Sequence, residues 1–244
     1  MGDVGGVVAE DFVKFPRTPH LYWLGEGVPR GDKLLAVEDA EDLLRRPVVV
    51  EEKVDGACIG ISLDPTGGLR VQSRGTYLLP GSHAQFAPLW SWLAARDEAL
   101  RAALGMTLVL FGEWCYAQHS VAYDLLPDWF LAFDIYDRGA GLFWSRVRRE
   151  ELAAHTGLAT VPLLGTGHFD RTGLEQEMSR SRLGTGPMEG LYLRWEDGPW
   201  LVVRAKLVRP GWVPHDEVHW AHQPLVPNRL LADREKRSVR VGRR

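Results

Sequence analysis

The chain has 244 residues and a mass of 27.4 kDa, with 45% hydrophobic content, which is enough for one large domain or two small ones around a real core. A formal net charge of −3 and a pI near 6.2 exclude a protein that coats nucleic acid through a broad basic surface, while leaving room for a localised groove. Two cysteines, Cys58 and Cys115, are too few for a disulfide framework or a zinc cage; Met1 to Glu10 lacks a secretion-signal pattern, and no apolar run approaches the roughly 20 residues of a membrane span, so a reduced, cytoplasmic protein is expected.

The first 47 residues are too few for a separate five-stranded barrel. From Val48 onward short β-rich runs alternate with turns. Val48-Val49-Val50 leads into Glu51-Glu52-Lys53, and Cys58 to Leu63 and Leu69 to Ser73 flank a hairpin loop, Asp64-Pro65-Thr66-Gly67-Gly68. The apolar spacing of Phe86, Leu89, Trp90, Leu93, Leu100 and Leu104 predicts a packing helix over Gln85 to Leu104. Thr107 to Glu113 and Trp129 to Tyr136 read as buried strands. Ser145 is placed to cap a helix that ends near Gly157. Met188 to Trp195 and Trp200 to Val208 read as strands joined by the tight turn Glu196-Asp197-Gly198-Pro199. The layout is α+β with mostly antiparallel sheets and flanking helices, without internal repeats. The 35 residues after Arg209 are again too few for a barrel, and the end of that tail, from Asp233 to Arg244, is basic and reads as a solvated terminus.

Basic residues are skewed to Arg, and Lys occurs only at positions 14, 33, 53, 206 and 236. A site that needs an amine nucleophile must keep Lys, since Arg stays protonated. In Glu51-Glu52-Lys53-Val54-Asp55-Gly56, strand alternation puts Glu51 and Lys53 on one face, beside a turn at Asp55-Gly56. By itself this string is weak. Ordered segments follow it: Ser73-Arg74-Gly75, Leu110-Phe111-Gly112-Glu113-Trp114, Phe130-Leu131-Ala132-Phe133-Asp134-Ile135-Tyr136, Met188-Glu189-Gly190-Leu191 and Val203-Arg204-Ala205-Lys206. Together they resemble motifs I, Ia, III, IIIa, IV and V of the covalent nucleotidyltransferases, the superfamily of RNA ligases, DNA ligases and mRNA capping enzymes. Phe-Gly-Glu-Trp followed by Phe-Asp-Ile-Tyr is most similar to the RNA ligase branch.

The resemblance implies a nucleotidyltransferase (ATP-grasp-like ligase) domain over residues 1–210, N-terminal extension included, without a separate OB domain, followed by a short tail over 211–244. It implies an ATP-dependent RNA ligase in which Lys53 takes AMP from ATP with Mg²⁺ or Mn²⁺ present and passes it to an RNA 5′-phosphate. A 3′-hydroxyl then displaces the AMP. Arg74 and Glu113 are expected at the ribose, Phe133 stacked on adenine, and Glu189 at the metal; Glu51 or Glu52 is expected near the adenine amine, with alternation favouring the Glu51 side chain and leaving Glu52 its backbone. Arg204 and Lys206 occupy the two basic positions of motif V, where the family more often has Lys in both. A free lysine is neutral about once in a thousand near pH 7.4. Burial of Lys53 and like charge from Arg204 and Lys206 are therefore expected to depress its pKa, and the same cations to steady charge on the α-phosphate.

Phe15-Pro16-Arg17-Thr18-Pro19-His20-Leu21 is similar to an N-terminal stretch of related ligases in which Arg17 or His20 would face pyrophosphate, and His119 in Tyr116 to Ser120 is a second candidate for RNA contact. The histidines lack the spacing of a zinc site. Taken singly, each residue has a structural reading: Glu113 and Glu189 as strand-end ion pairs, Phe133 as core, Arg74 as a turn cation. The ordered set favours function. The partners implied are RNA ends, in the setting of RNA repair, and ATP; neither a membrane nor a stable protein partner is indicated. A DNA nick ligase, a capping-type guanylyltransferase and a nucleotide-binding sensor or scaffold are the competing readings.

Overall fold

The computed structural model describes residues 12–26, 33–210 and 225–233. Runs rich in β-branched and aromatic residues form strands there, because such side chains pack well on a pleated surface, and Gly, Pro and Asp punctuate them. In chain order the elements are α1 (Val37–Leu44), β1 (Val48–Lys53), β2 (Ala57–Leu63), β3 (Leu69–Gln72), α2 (Leu89–Ala94), α3 (Asp97–Leu104), β4 (Leu108–Trp114), β5 (Phe130–Asp137), β6 (Leu142–Trp144), α4 (Arg146–Thr156), β7 (Ala159–Thr160), β8 (Leu163–Gly167), α5 (Arg171–Glu177), β9 (Gly190–Asp197) and β10 (Trp200–Val208). The fold is α+β. One ten-stranded sheet runs β3-β2-β4-β5-β6-β10-β9-β1-β8, with β7 beside β5, and the β5–β7 pair is parallel where the others are antiparallel. Among the described residues there is no separate barrel domain, and no helix is long and apolar enough to cross a membrane.

The predicted hairpin forms around Asp64, whose Oδ1 accepts the N–H groups of Thr66 (2.8 Å) and Gly68 (3.0 Å). The single helix expected over Gln85 to Leu104 is two helices. Arg96 breaks it with non-helical backbone (φ −124°, ψ 8°), and its guanidinium reaches Asp128 at 2.7 Å while lying 4.4 Å over the Trp92 ring. Apolar periodicity continues through the break because both helices pack on one core, so spacing alone conceals it. Ser145 does cap α4 by position, yet its side chain makes no capping bond. The Arg146 N–H is instead accepted by Glu196 at 2.7 Å. Strand β9 starts at Gly190 rather than Met188, where its ladders to Lys53 and Val208 begin.

The outer face of β2, β4 and β5 packs on α2, α3 and α4 through Ile59, Leu110, Trp114, Phe130 and Leu152, among others. A second core lies behind β1, β9 and β10, where Val48, Val50, Leu191, Leu193 and Leu207 meet Leu43 of α1 and Leu174 of α5. A third gathers Cys115, Val121, Tyr123 and Leu126 of an irregular loop beneath Val54. Residues 225–233, past the last strand, return to pair with that loop through isolated bridges at Ala117–Pro227 and Leu126–Leu230. The far end of the expected basic tail, from Arg234, lies outside the described residues.

Candidate active site

Residues paired directly across an antiparallel ladder share a face. Lys53 opposes Gly190, Glu51 opposes Tyr192, and Val49 opposes Arg194; Tyr192 opposes Lys206 and Arg194 opposes Arg204. All of these side chains stand on the face turned away from the Val48, Val50, Leu191 and Leu207 core. On the other half of the sheet, Cys58 opposes Glu113 and Phe111 opposes Asp134, and they too face away from their core. Lys53 and Glu113 sit on strands remote in sheet order but interact electrostatically, so the sheet wraps and the two halves of this polar face meet. Two glycines permit close packing within the halves. A Cβ at Gly190 would lie 2.1 Å from the Leu207 carbonyl oxygen, and one at Gly56 would lie 2.7 Å from that of Trp114, while the Gly56 N–H donates to Glu113 Oε1 at 3.1 Å.

Lys53 Nζ lies 2.6 Å from Glu189 Oε1, with its side chain 25% exposed and that of Glu189 7%. Burial pushes the lysine pKa down, but Glu189, Glu113 and Asp55 together overcome it and hold the amine above its ordinary value. The expected depression is therefore absent from this arrangement, for a definite reason. Of the two motif V cations, Arg204 is drawn to Asp134 (3.1 Å) and lies 3.8 Å over the Phe143 ring, while Lys206 acts on Glu189. Burial raises Glu189 and Glu113 to about 7, with Lys53 opposing in both cases. Among the described residues no three His, Cys, Asp or Glu side chains converge as a metal cage. A buried single carboxylate suits a hard cation such as Mg²⁺, which takes one or two protein carboxylates and draws its other ligands from phosphates and water.

Two residues before Lys53 the same face is closed. Glu51 is fully buried, and Arg149 reaches it from α4 with Nη2 at 2.5 Å and Nη1 at 3.2 Å from its two oxygens. The Arg194 guanidinium contacts Asp134 at 2.5 Å and Glu196 at 2.7 Å and, like Arg149, donates to the Phe133 carbonyl (3.0 and 2.6 Å). Tyr192 Oη adds a 3.0 Å bond to Asp134 Oδ2, and burial with that carboxylate pushes its pKa far up. The Glu51 carboxylate expected beside the adenine amine is thus committed to a buried ion network. Glu52 points to the opposite face; its carboxylate accepts from Ser181 Oγ and from the Arg182 N–H (2.8 Å), and its own N–H goes to the Pro162 carbonyl (2.9 Å).

Phe133 owes its position to a β-bulge. Phe111 pairs with Asp134 and Gly112 with Ala132, which leaves Phe133 as an extra residue on β5, so that Phe133 and Asp134 both face the site. The half-buried Phe133 ring meets Phe15 edge-on at 5.1 Å. Phe15 belongs to a strap from Val13, whose carbonyl accepts from Gln72 (2.8 Å), to Leu21, whose N–H donates to the Lys206 carbonyl (2.7 Å). His20 is buried beside Trp23, and Arg17 is exposed. Arg74 is exposed beside Glu113 and the Cys58 thiol, and lowers both pKa values against the larger effect of burial, which lifts Cys58 to about 12. His119 is set 3.2 Å from the Gln85 side-chain oxygen.

The sequence reading missed Arg149, Arg194 and Tyr192 and the place of Asp134 in the ion network. Tyr192 and Arg194 had a signal: they alternate with Leu191 and Leu193 and share the register of Lys53. Arg149 had none, because four of the first five residues of α4 are Arg or Glu.

The fold of this sheet is shared with solved RNA ligase structures. A lysine-to-alanine variant of Naegleria gruberi RNA ligase with ATP and Mn superposes with a TM-score of 0.61 at 17% identity, over 82% of this chain and 57% of that one. An arginine-to-alanine variant with ATP and Mn gives 0.60 at 18% (82% and 57%), and an apo aspartate-to-alanine variant 0.59 at 18% (81% and 55%). The chain therefore spans little more than half the length of these structures. The RNA ligase profile matches residues 46–208, and the chain belongs to the RNA ligase family. No curated protein matches it by sequence.

Proposed function

We propose that this chain is an ATP-dependent RNA ligase whose nucleophile is Lys53. The observation that carries the reading is the Lys53 amine on the polar sheet face, 2.6 Å from Glu189 and within the field of Glu113 and Asp55, in a chain of the RNA ligase family. Lys53 Nζ gives up a proton and attacks the α-phosphorus of ATP; the P–N bond forms, the bond to the bridging oxygen breaks, and pyrophosphate leaves. An RNA 5′-phosphate oxygen then takes the adenylyl group and frees the lysine. Attack by a 3′-hydroxyl on that 5′-phosphate expels AMP and closes the phosphodiester.

Glu189 would hold the Mg²⁺ or Mn²⁺ that comes with the triphosphate. Bound there, the cation supplies positive charge against the phosphates and competes with Lys53 for the carboxylate that keeps it protonated. Phe133 offers its ring to the base, Arg74 and Glu113 flank the ribose, and Lys206 contributes charge at the α-phosphate, with Arg204 behind it on Asp134. The two cysteines are free thiols, in keeping with a reducing, cytoplasmic setting.

The test is intact-mass measurement after incubation with ATP and magnesium, in parallel with GTP, followed by sealing assays on matched RNA and DNA nicks. The wild type gains one AMP and Lys53→Ala gains none while remaining folded. An undiminished adduct in that variant removes the assignment; a GMP adduct points to capping chemistry, and preference for the DNA nick to a DNA ligase.

A further inference from the structure

The C-terminal segment 225–233 lies beyond the family match at residue 208, yet one of its side chains is built into the frame of the site. Asn228 is 5% exposed. Its Nδ2 donates to the carbonyls of Cys115 (2.8 Å) and Ala117 (3.2 Å), and its Oδ1 accepts the N–H of Tyr123 (2.8 Å). Both amide donors and the acceptor are thus spent on one irregular loop, whose backbone groups have no regular ladder to satisfy them. The main chain reinforces the contact: Asn228 N donates to the Tyr116 carbonyl (2.8 Å) and Arg229 N to that of Tyr123 (2.9 Å).

That loop in turn fixes Asp55, two residues from Lys53. Asp55 Oδ2 accepts the N–H groups of Ser120 (2.7 Å) and Val121 (2.9 Å), and the Asp55 N–H donates to Tyr123 Oη (2.8 Å). Tyr123 therefore has one end on Asn228 and the other on Asp55, two residues past the end of the Lys53 strand. Each link is a direct hydrogen bond from a backbone N–H to a side-chain oxygen, and Asn228, Tyr123 and Asp55 are each less than a tenth exposed.

We propose that Asn228 is a positioning residue for adenylylation: it sets the 115–126 loop and, through Tyr123 and Asp55, the angle at which Lys53 meets the α-phosphate. The inference rests on Lys53 being the nucleophile. In-line attack tolerates little misplacement, so loosening this frame should slow the chemical step and leave nucleotide binding nearly intact.

The experiment measures the rate of AMP adduct formation at saturating ATP, the half-saturating ATP concentration and the melting temperature, with rates normalised to folded protein. The variants are Asn228→Ala, Tyr123→Phe, and Leu230→Ala as a control that loosens the same segment without touching a loop hydrogen bond. Asn228→Ala and Tyr123→Phe should each slow adduct formation by about tenfold, with little change in half-saturation. Leu230→Ala should lose melting temperature at near wild-type rate. A wild-type rate in Asn228→Ala or Tyr123→Phe, or equal slowing in Leu230→Ala, overturns the inference while leaving the nucleophile in place. Absence of any adduct in the wild type removes both.

Discussion

Along two residues of β1 the same polar face passes from a partly open site to a closed one. At Lys53 the ammonium stands among Glu189, Glu113 and Asp55, with Lys206 acting on Glu189 and Arg74 beside Glu113, and a quarter of the lysine side chain is exposed. At Glu51 the carboxylates of Glu51, Asp134 and Glu196 meet the guanidinium groups of Arg149, Arg194 and Arg204, and Glu51, Asp134, Arg149 and Arg194 are fully buried. Burial of charge is costly unless each partner is satisfied, so the second region is stable only as a complete set. The first leaves its amine and the carboxylates around it within reach of a ligand. Chemistry is expected where the face is open and rigidity where it is closed.

The comparison breaks most sharply with Lys53→Ala: covalent AMP should vanish in intact-mass spectra while the protein stays folded, because the change removes the proposed nucleophile and leaves the buried ion network complete. Arg194→Met should do the reverse. It takes one buried guanidinium from Asp134 and Glu196, leaves the network a positive charge short, and should cost about 3–5 kcal/mol in denaturant unfolding; stability within error of wild type would show that the network carries no such role. Ser181→Ala removes one donor from the buried Glu52 carboxylate on the opposite face, and about 1–2 kcal/mol of stability should go with it. Adduct formation per folded molecule should hardly change.

The finest probe is pH. Glu113 is held near 7 by burial against an ordinary value near 4.5, so the folded chain binds that proton more tightly than the unfolded one. Its contribution to stability is complete below about 4.5 and is lost as pH rises through about 7. Melting temperatures across that window should fall less steeply in Glu113→Gln than in the wild type, and parallel curves would contradict the assignment of burial as the cause.

Strand alternation was enough to put Glu51 and Lys53 on one face and to pair Arg204 with Lys206, and the hairpin at Asp64 and the turn at Gly198 followed from local residue chemistry. Where the reading failed, the deciding contact was distant. Nothing near Glu51 announces Arg149, 98 residues away, and nothing near Asn228 announces Tyr123, 105 residues away. The break at Arg96 depends on Asp128, and the raised pKa of Lys53 on three carboxylates brought from three parts of the chain. Periodicity reports which face a side chain takes; it is silent on which partner waits there.

The bulge at Phe133 makes that ring an insertion in the literal sense. Excising the single position would restore strict two-residue alternation, with Leu131 and Asp134 still on the inner side and Ala132 and Ile135 still in the interior. The peptide unit is not dispensable, since its carbonyl is shared by Arg149 and Arg194; the ring can be exchanged by side-chain substitution, whereas loss of the residue would also take an acceptor from the buried ion network.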